Sequence, residues 1–193
     1  MTKTSKQPGP VMVRSCLWVA AIASVAGCGN LITAQTIGYT GVTVTAGGDP
    51  VAVIAVCDQS IDSVNVSEGR FGLEEDEPNT PVGDWVNDEE ATGLVQVDLV
   101  TPEGPWEGPK GVDFDERTLY IVGAYSERRN ASAGQVAFYG QELAHMQPEN
   151  IYANPAVDGG LVATPRATFL RDGCSMVGYG EVVTSPSETR RDQ

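Results

Sequence analysis

Two seven-residue apolar runs limit the folds open to this chain more than any other feature. Residues 51–57 read Val-Ala-Val-Ile-Ala-Val-Cys, and residues 119–125 read Leu-Tyr-Ile-Val-Gly-Ala-Tyr. Both runs are short for a helix and rich in β-branched or aromatic side chains, which favours buried strands. The turn sequence Ala-Gly-Gly-Asp-Pro stands directly before residue 51. The sequence therefore predicts a β-sheet whose central strands are buried on both faces.

Shorter segments with strand-like patterns surround these two runs. Residues 37–45 and 94–100 alternate apolar and polar side chains, and 135–139 and 176–183 are further candidate strands. Seven or eight short strands separated by turns are typical of an all-β domain. We therefore expect a single antiparallel β-sandwich, loosely immunoglobulin-like, over residues 36–183.

One short helix is predicted near residues 165–172. Thr164 is a suitable N-cap, and Pro165 suits the first helical position because its missing N–H needs no partner there. Gly173 suits the left-handed residue that often ends a helix. The fold class expected is therefore mainly β with one helix.

The N-terminus has the features of a secretory signal. Three bases, Lys3, Lys6 and Arg14, precede an eleven-residue apolar run at 16–26. A run of this length suits the core of a signal peptide and is too short to cross a bilayer, which takes ~20 residues. Translation could start at Met1 or at Met12, since Arg14 alone supplies a minimal basic flank.

The end of this run carries a specific motif. Val25-Ala26-Gly27-Cys28 is an aliphatic residue, two small residues and a cysteine, and it resembles the lipobox of bacterial lipoproteins. The resemblance covers only the leader. It implies cleavage before Cys28, a diacylglyceryl group on the Cys28 thiol, and further acylation of the new amine with a fatty acid such as palmitate. Two acyl chains give stable membrane attachment.

The lipobox resemblance implies a cellular location as well as a lipid modification. Residues 1–27 would be the signal peptide, 28–35 a tether, and 184–193 a flexible tail. The protein would be anchored by lipid at the extracytoplasmic face of the cell membrane, and the Ala-, Val- and Gly-rich composition suggests an actinobacterial source. An ordinary secretory signal cut near Ala26 or Ala34 is the main alternative, and an uncleaved anchor is another.

The cysteines indicate a disulfide. Cys16 lies in the leader and Cys28 is the expected lipid acceptor, which leaves Cys57 and Cys174. An even pair in an oxidising compartment favours a bridge between them. Two free thiols or a metal-binding pair are the alternatives. A metal site is disfavoured because two cysteines and one distant histidine fall short of four ligands.

The net negative charge disfavours nucleic acid as a partner and leaves calcium as a candidate ligand. The chain has 26 Asp and Glu against 12 Lys and Arg, so nucleic acid is not an expected partner. Asp113, Asp115 and Glu116 place carboxylates after a Gly-rich loop, a pattern that can supply oxygen ligands to calcium. Solvated acidic loops are the alternative interpretation, and no EF-hand loop is present. No metal is therefore assigned.

The sequence shows no catalytic motif. His145 is the only histidine, no Gly-x-Ser-x-Gly is present, and no nucleotide-binding glycine motif occurs. We therefore expect a protein that is not an enzyme and needs no cofactor, with His145 in a surface or packing role. Trp106 lies in an irregular Pro- and Gly-rich loop, where it could contact a ligand or fold back on its own loop.

These features together predict a lipid-anchored, extracytoplasmic cell-envelope protein that acts as a non-enzymatic binding or structural module. The membrane is the expected partner through the anchor, with an envelope protein or a glycan as a further partner. The alternative is a calcium-dependent acidic module or a carboxylate-based hydrolase, since 26 acids offer many carboxylate pairs.

Overall fold

The computed structural model describes residues 35–70, 72–74, 76–155 and 160–177. Within these residues the strands are β1 (Gln35–Val44), β2 (Pro50–Glu68), β3 (Pro81–Asp98), β4 (Trp106–Glu107), β5 (Leu119–Ser126), β6 (Ala131–Gly134), β7 (Val136–Tyr139), β8 (Asn150–Ala153) and β9 (Val162–Pro165). A helix, α1, spans Arg166–Met176, and 3₁₀ turns span Glu127–Arg129 and Gly140–His145. The chain is therefore mainly β with one short helix, as predicted.

Strand β2 continues beyond the apolar run at 51–57. The chain bends at Gln59 but remains in the sheet. Gln59 adopts a left-handed backbone conformation with φ 60°. Its Nε2 donates to Gln35 Oε1 at 2.8 Å, and its N–H donates to Asp58 Oδ1 at 3.0 Å. These bonds hold the bend in place. The apolar residues at 61–66 therefore form the second half of β2 and not a separate strand.

The hydrogen-bonded ladder closes on itself. Strand β3 runs along one side of β2, while β1 and then β5 occupy the other side. Strand β6 joins the ends of this arrangement, because it pairs in parallel with β1 and antiparallel with β5. All the described strands thus belong to one sheet, which forms a small closed barrel. The expected immunoglobulin-like sandwich of two sheets is not confirmed.

Two apolar clusters fill the described structure. The larger lies inside the barrel and includes Trp85, Phe138 and Ile54, all nearly inaccessible to solvent. The smaller lies on the outer face of β1 and β2, where Val53 of β2 and Phe169 of α1 are buried between the sheet and the helix. This second cluster explains why the 51–57 run is apolar at every position: one set of side chains faces the barrel interior and the other faces the helix.

Helix α1 confirms the predicted helix but not its expected ends. Pro165 is the capping residue before the helix and makes no side-chain cap bond. Gly173 lies inside the helix, so its assignment as the terminating residue is wrong. A Cβ at Gly173 would lie 3.2 Å from the Cβ of Ala55 and 3.3 Å from that of Tyr39. Glycine therefore serves close packing of the helix against the sheet.

The predicted disulfide is confirmed. Cys57 at the end of the first half of β2 is bonded to Cys174 in α1, with the two Cα atoms 5.4 Å apart. This separation lies within the range that disulfides adopt. The bond fastens the helix to the sheet at the same point where β2 bends.

Several sequence predictions lie outside the described residues. They are the signal peptide at 1–27, the lipid-acceptor Cys28, and the tail at 184–193. The last predicted strand, 176–183, lies mostly outside them too, and its first residue belongs to α1. In the part of the chain that is described, no helix has the length and apolar character needed to cross a bilayer.

Candidate functional site

A groove of about 750 Å³ lies on the outer face of the sheet formed by β5 and β7. We call it the β7 groove. Its lining residues come mainly from these two strands and from β6. They include Leu119, Ile121, Tyr125, Gln135, Ala137, Tyr139, Glu142 and Asn154.

Strand alternation determines which side chains line the β7 groove. Tyr120 and Val122 of β5 and Phe138 of β7 are buried inside the barrel. Successive side chains of a strand point to opposite faces, so Ile121 of β5 and Tyr139 of β7 face outward. Tyr139 is 46% exposed. The groove floor is therefore the outer surface of the barrel wall.

Tyr125 forms a ridge at one end of the β7 groove. Its hydroxyl accepts a hydrogen bond from Gln135 Nε2 at 2.9 Å. A Cβ at Gly123 would lie 2.7 Å from the Tyr125 hydroxyl and 3.0 Å from its ring, so the glycine makes room for the ring to lie along β5. Tyr125 also borders a second depression of about 390 Å³, next to Asn65 of β2. The ridge separates two concave surfaces.

The outer edge of β7 is already hydrogen-bonded. The Ala137 N–H donates to Asn154 Oδ1 at 2.7 Å, and the Tyr139 N–H donates to Glu142 Oε2 at 2.7 Å. Ala137 and Tyr139 lie opposite Ile121 and Leu119 at non-hydrogen-bonded positions of the antiparallel ladder. Their N–H groups therefore point away from β5. Two side chains thus protect the edge of this strand.

Tyr39 fixes the far side of the β7 groove. Its hydroxyl donates to the Asn154 backbone oxygen at 2.7 Å. Burial raises the pKa of Tyr39 above its ordinary value of 10.0, so the hydroxyl remains a donor at neutral pH and into the alkaline range. The hydroxyl of Tyr39 therefore positions Asn154, whose side chain in turn caps β7.

The β7 groove is nearly uncharged, although the chain is strongly acidic. Among the described residues that line it, Glu142 is the only one with an ionisable acid or base in the usual pH range. One oxygen of that carboxylate already accepts the Tyr139 N–H. The remaining lining consists of apolar, aromatic, amide and hydroxyl groups.

The residues proposed from sequence do not lie in this groove. Trp106 forms the two-residue strand β4, pairs with Asn87 of β3, and is only 6% exposed within the barrel core. Its indole packs with the core and does not stand on the surface. His145 is exposed at the end of a 3₁₀ turn.

The three calcium candidates do not form a cluster. Asp115 Oδ1 accepts bonds from the Arg117 N–H at 2.9 Å and from Thr118 Oγ1 at 3.3 Å, so it stabilises its own turn. Asp113 and Glu116 are exposed beside it. Over the described ranges, no group of three or more His, Cys, Asp or Glu side chains is arranged to hold a metal ion.

Sequence reasoning missed the groove residues Tyr125, Gln135 and Tyr139. One signal was present: residues 119–125 are apolar on both strand faces, which indicates two covered faces. In the structure the outer face is only partly covered. The apolar side chains left over there form the floor of the β7 groove.

Comparisons with known protein families, with curated proteins and with solved structures gave no match for this chain.

Proposed function

We propose that this chain is a lipid-anchored protein of the extracytoplasmic cell envelope, with a β-rich domain that acts as a non-enzymatic binding module. The anchor is supported by the lipobox-like sequence Val25-Ala26-Gly27-Cys28. The binding role is supported by the β7 groove, a concave surface of about 750 Å³ with apolar walls and a few polar groups. Ligand sites commonly combine these properties.

The geometry of β1 suits a tether. Gln35, the first described residue, is fastened to the bend of β2 through Gln59. Six residues separate Cys28 from Gln35. At ~3.3–3.6 Å per residue, such a segment spans at most about 25 Å. The domain would therefore stand close to the membrane, and its negative charge would disfavour contact with anionic lipid.

The anchor is tested by replacing the proposed acceptor. Cys28→Ser should prevent lipidation, so the protein should leave the membrane fraction or accumulate with its leader uncut. Cys16→Ser is the matched control, because Cys16 lies in the same leader outside the motif. It should leave the fractionation unchanged. Mass spectrometry of the mature wild-type N-terminus is the direct measurement, and an unmodified N-terminus would disprove the anchor.

The binding role is tested at the groove itself. We expect Tyr139→Ala to reduce association of the full chain with isolated cell-envelope material without changing its melting temperature, since Tyr139 is 46% exposed. Val162→Ala is the matched control, because Val162 is 51% exposed on β9 and does not line the β7 groove. Equal association of both variants and the wild type would contradict a binding role for this surface.

A further inference from the structure

We propose that the β7 groove binds an uncharged glycan. This inference rests on the proposed binding function and names the class of ligand. Three features of the groove carry it: its charge, the state of the β7 edge, and the kind of side chains it exposes.

The charge of the groove favours a neutral ligand. The whole chain has a formal charge of −14, yet the described lining of the groove contains one carboxylate, Glu142. An anionic ligand would meet the negative field of the chain with no Lys or Arg in this lining to pair with it. A cationic ligand would find only one carboxylate, which is already hydrogen-bonded to the Tyr139 N–H.

The state of the β7 edge disfavours an extended peptide. A peptide that adds to a sheet gains its affinity from main-chain hydrogen bonds to the exposed edge. Here the outward N–H groups of Ala137 and Tyr139 already donate at 2.7 Å to Asn154 Oδ1 and Glu142 Oε2. A strand could add only by displacing both caps. The ligand is therefore recognised through side chains.

The exposed side chains suit a sugar. The Tyr139 ring offers an apolar face, and a pyranose ring presents a face of C–H groups that can pack on it. The Gln135 amide and the Tyr125 hydroxyl are both able to donate and to accept hydrogen bonds. A sugar hydroxyl also does both, so these groups match a ligand with many hydroxyls and no charge. The volume of about 750 Å³ lies within the range of ligand sites and exceeds what one small ion needs.

The test is affinity gel electrophoresis of the full chain in gels that contain a neutral glucan, a neutral mannan or a neutral galactan. Alginate, an anionic polysaccharide, is the control polymer. We expect at least one neutral polymer to retard the wild-type chain and alginate not to retard it. Retardation by none of the three neutral polymers, or stronger retardation by alginate, would overturn the inference.

Two substitutions at one residue test the role of the ring. Tyr139→Ala should weaken the retardation several-fold, because it removes the exposed ring on which the sugar would pack and leaves Gln135 and Tyr125 in place. Tyr139→Phe keeps the ring and should retain most of the binding. Val162→Ala, outside the groove, should bind as the wild type does. Unchanged binding by Tyr139→Ala would place the glycan elsewhere and overturn the inference.

Two further measurements, a reducing-end assay and competition for envelope material, distinguish failure of this inference from failure of the proposed function. Release of reducing ends from a bound glycan would disprove the non-enzymatic role while leaving the ligand class intact. Groove-dependent binding to envelope material that no neutral glycan competes for would do the reverse. That result would support the proposed binding function and contradict the proposal that the ligand is a neutral glycan.

Discussion

At the scale of single residues, two buried threonines on β1 differ in whether the hydroxyl has a hydrogen-bond partner. Thr40 and Thr43 are both fully buried. Thr43 Oγ1 donates to the Asn150 backbone oxygen at 2.6 Å, whereas Thr40 Oγ1 has no hydrogen-bond partner among the described residues. A buried hydroxyl without a partner loses its bonds to water and gains none, which costs ~1–3 kcal/mol.

We therefore expect Thr40→Val to raise the free energy of unfolding by about 1 kcal/mol, since valine keeps the shape and the strand preference of threonine. Thr43→Val should lower it by a similar amount, because it removes a buried bond and leaves the Asn150 oxygen with one partner fewer. Chemical denaturation of the two variants measures both effects. Equal destabilisation by the two substitutions would show that the Thr40 hydroxyl has a partner after all.

The sequence alone did not predict where Gly173 and Trp106 lie in the structure. Gly173 was expected to end α1, because glycine is the usual residue there. It lies inside the helix, where Tyr39 and Ala55 approach so closely that a side chain would have little room. Trp106 was considered as a ligand contact because its loop is irregular, and it is buried because two residues of that loop pair with β3. Both outcomes depend on contacts with residues distant in sequence.

At the scale of elements, the disulfide decides how firmly α1 is held. The helix has eleven residues, too few to be stable alone in water. Its attachment depends on Phe169, which is 1% exposed, and on the Cys57–Cys174 bond. The bond closes a loop with a sequence separation of 117 residues. Chain-entropy reasoning assigns ~4.7 kcal/mol to a loop of about 100 residues.

Reduction should therefore lower the melting temperature of the protein substantially. Both cysteines are half-buried, so a small thiol reagent can reach them. Cys57→Ala alone should reproduce most of the loss. The double variant Cys57→Ala/Cys174→Ala should melt at the same temperature with and without reductant. A wild-type melting temperature that does not respond to complete reduction would contradict this role for the bond.

The position of the 3₁₀ turn at Glu127–Arg129 depends on a carboxylate of β3. The 3₁₀ turn after β5 is fastened to β3 by the ion pair between Arg129 and Glu90, 2.7 Å apart. The neighbouring Ser60 side chain lowers the pKa of Glu90 from its ordinary value of 4.5, and the Arg129 guanidinium lowers it further. A lowered pKa means that the ionised form stabilises the fold above the ordinary value, and that this contribution is lost as the pH falls through the folded-state pKa.

Glu90→Gln should accordingly lower the melting temperature at pH 7 and have a diminishing effect below pH 4.5. Melting curves of the two proteins between neutral and acid pH measure the difference. Glu89→Gln, at the adjacent exposed position, is the matched control for removing one carboxylate from β3. A gap between Glu90→Gln and wild type that widens in acid would contradict the assignment.

The elements that could be predicted from sequence are those with strong local patterns. The runs at 51–57 and 119–125 lie in strands, and the helix begins at Arg166, one residue after the predicted first position. The continuity of β2 could not be predicted, because Gln59 adopts a conformation unusual for its type and is held by Gln35. The β7 groove could not be predicted either, because its lining is brought together by the pairing of β5 with β7, and a strand pairing is not encoded in a local pattern.

At the scale of the whole molecule, negative charge is spread over many loops and not collected in one site. The chain carries 26 acids, yet the described residues contain no metal-binding cluster. We expect calcium to change the melting temperature no more than magnesium does at equal concentration, since both would act only by screening. EDTA should have no effect. A saturable stabilisation by micromolar calcium would contradict this and favour the acidic loop around Asp115.

The fastening of β1 also has a mechanical consequence. Gln35 is the point where the preceding chain joins the barrel, and β1 is paired on one side with β2 and on the other with β6. A pull along the axis of β1 loads both ladders in shear, so many hydrogen bonds share the force and none is peeled open in sequence. If the chain is tethered through its N-terminus, flow or drag on the domain is borne first by β1, a strand that is paired on both sides.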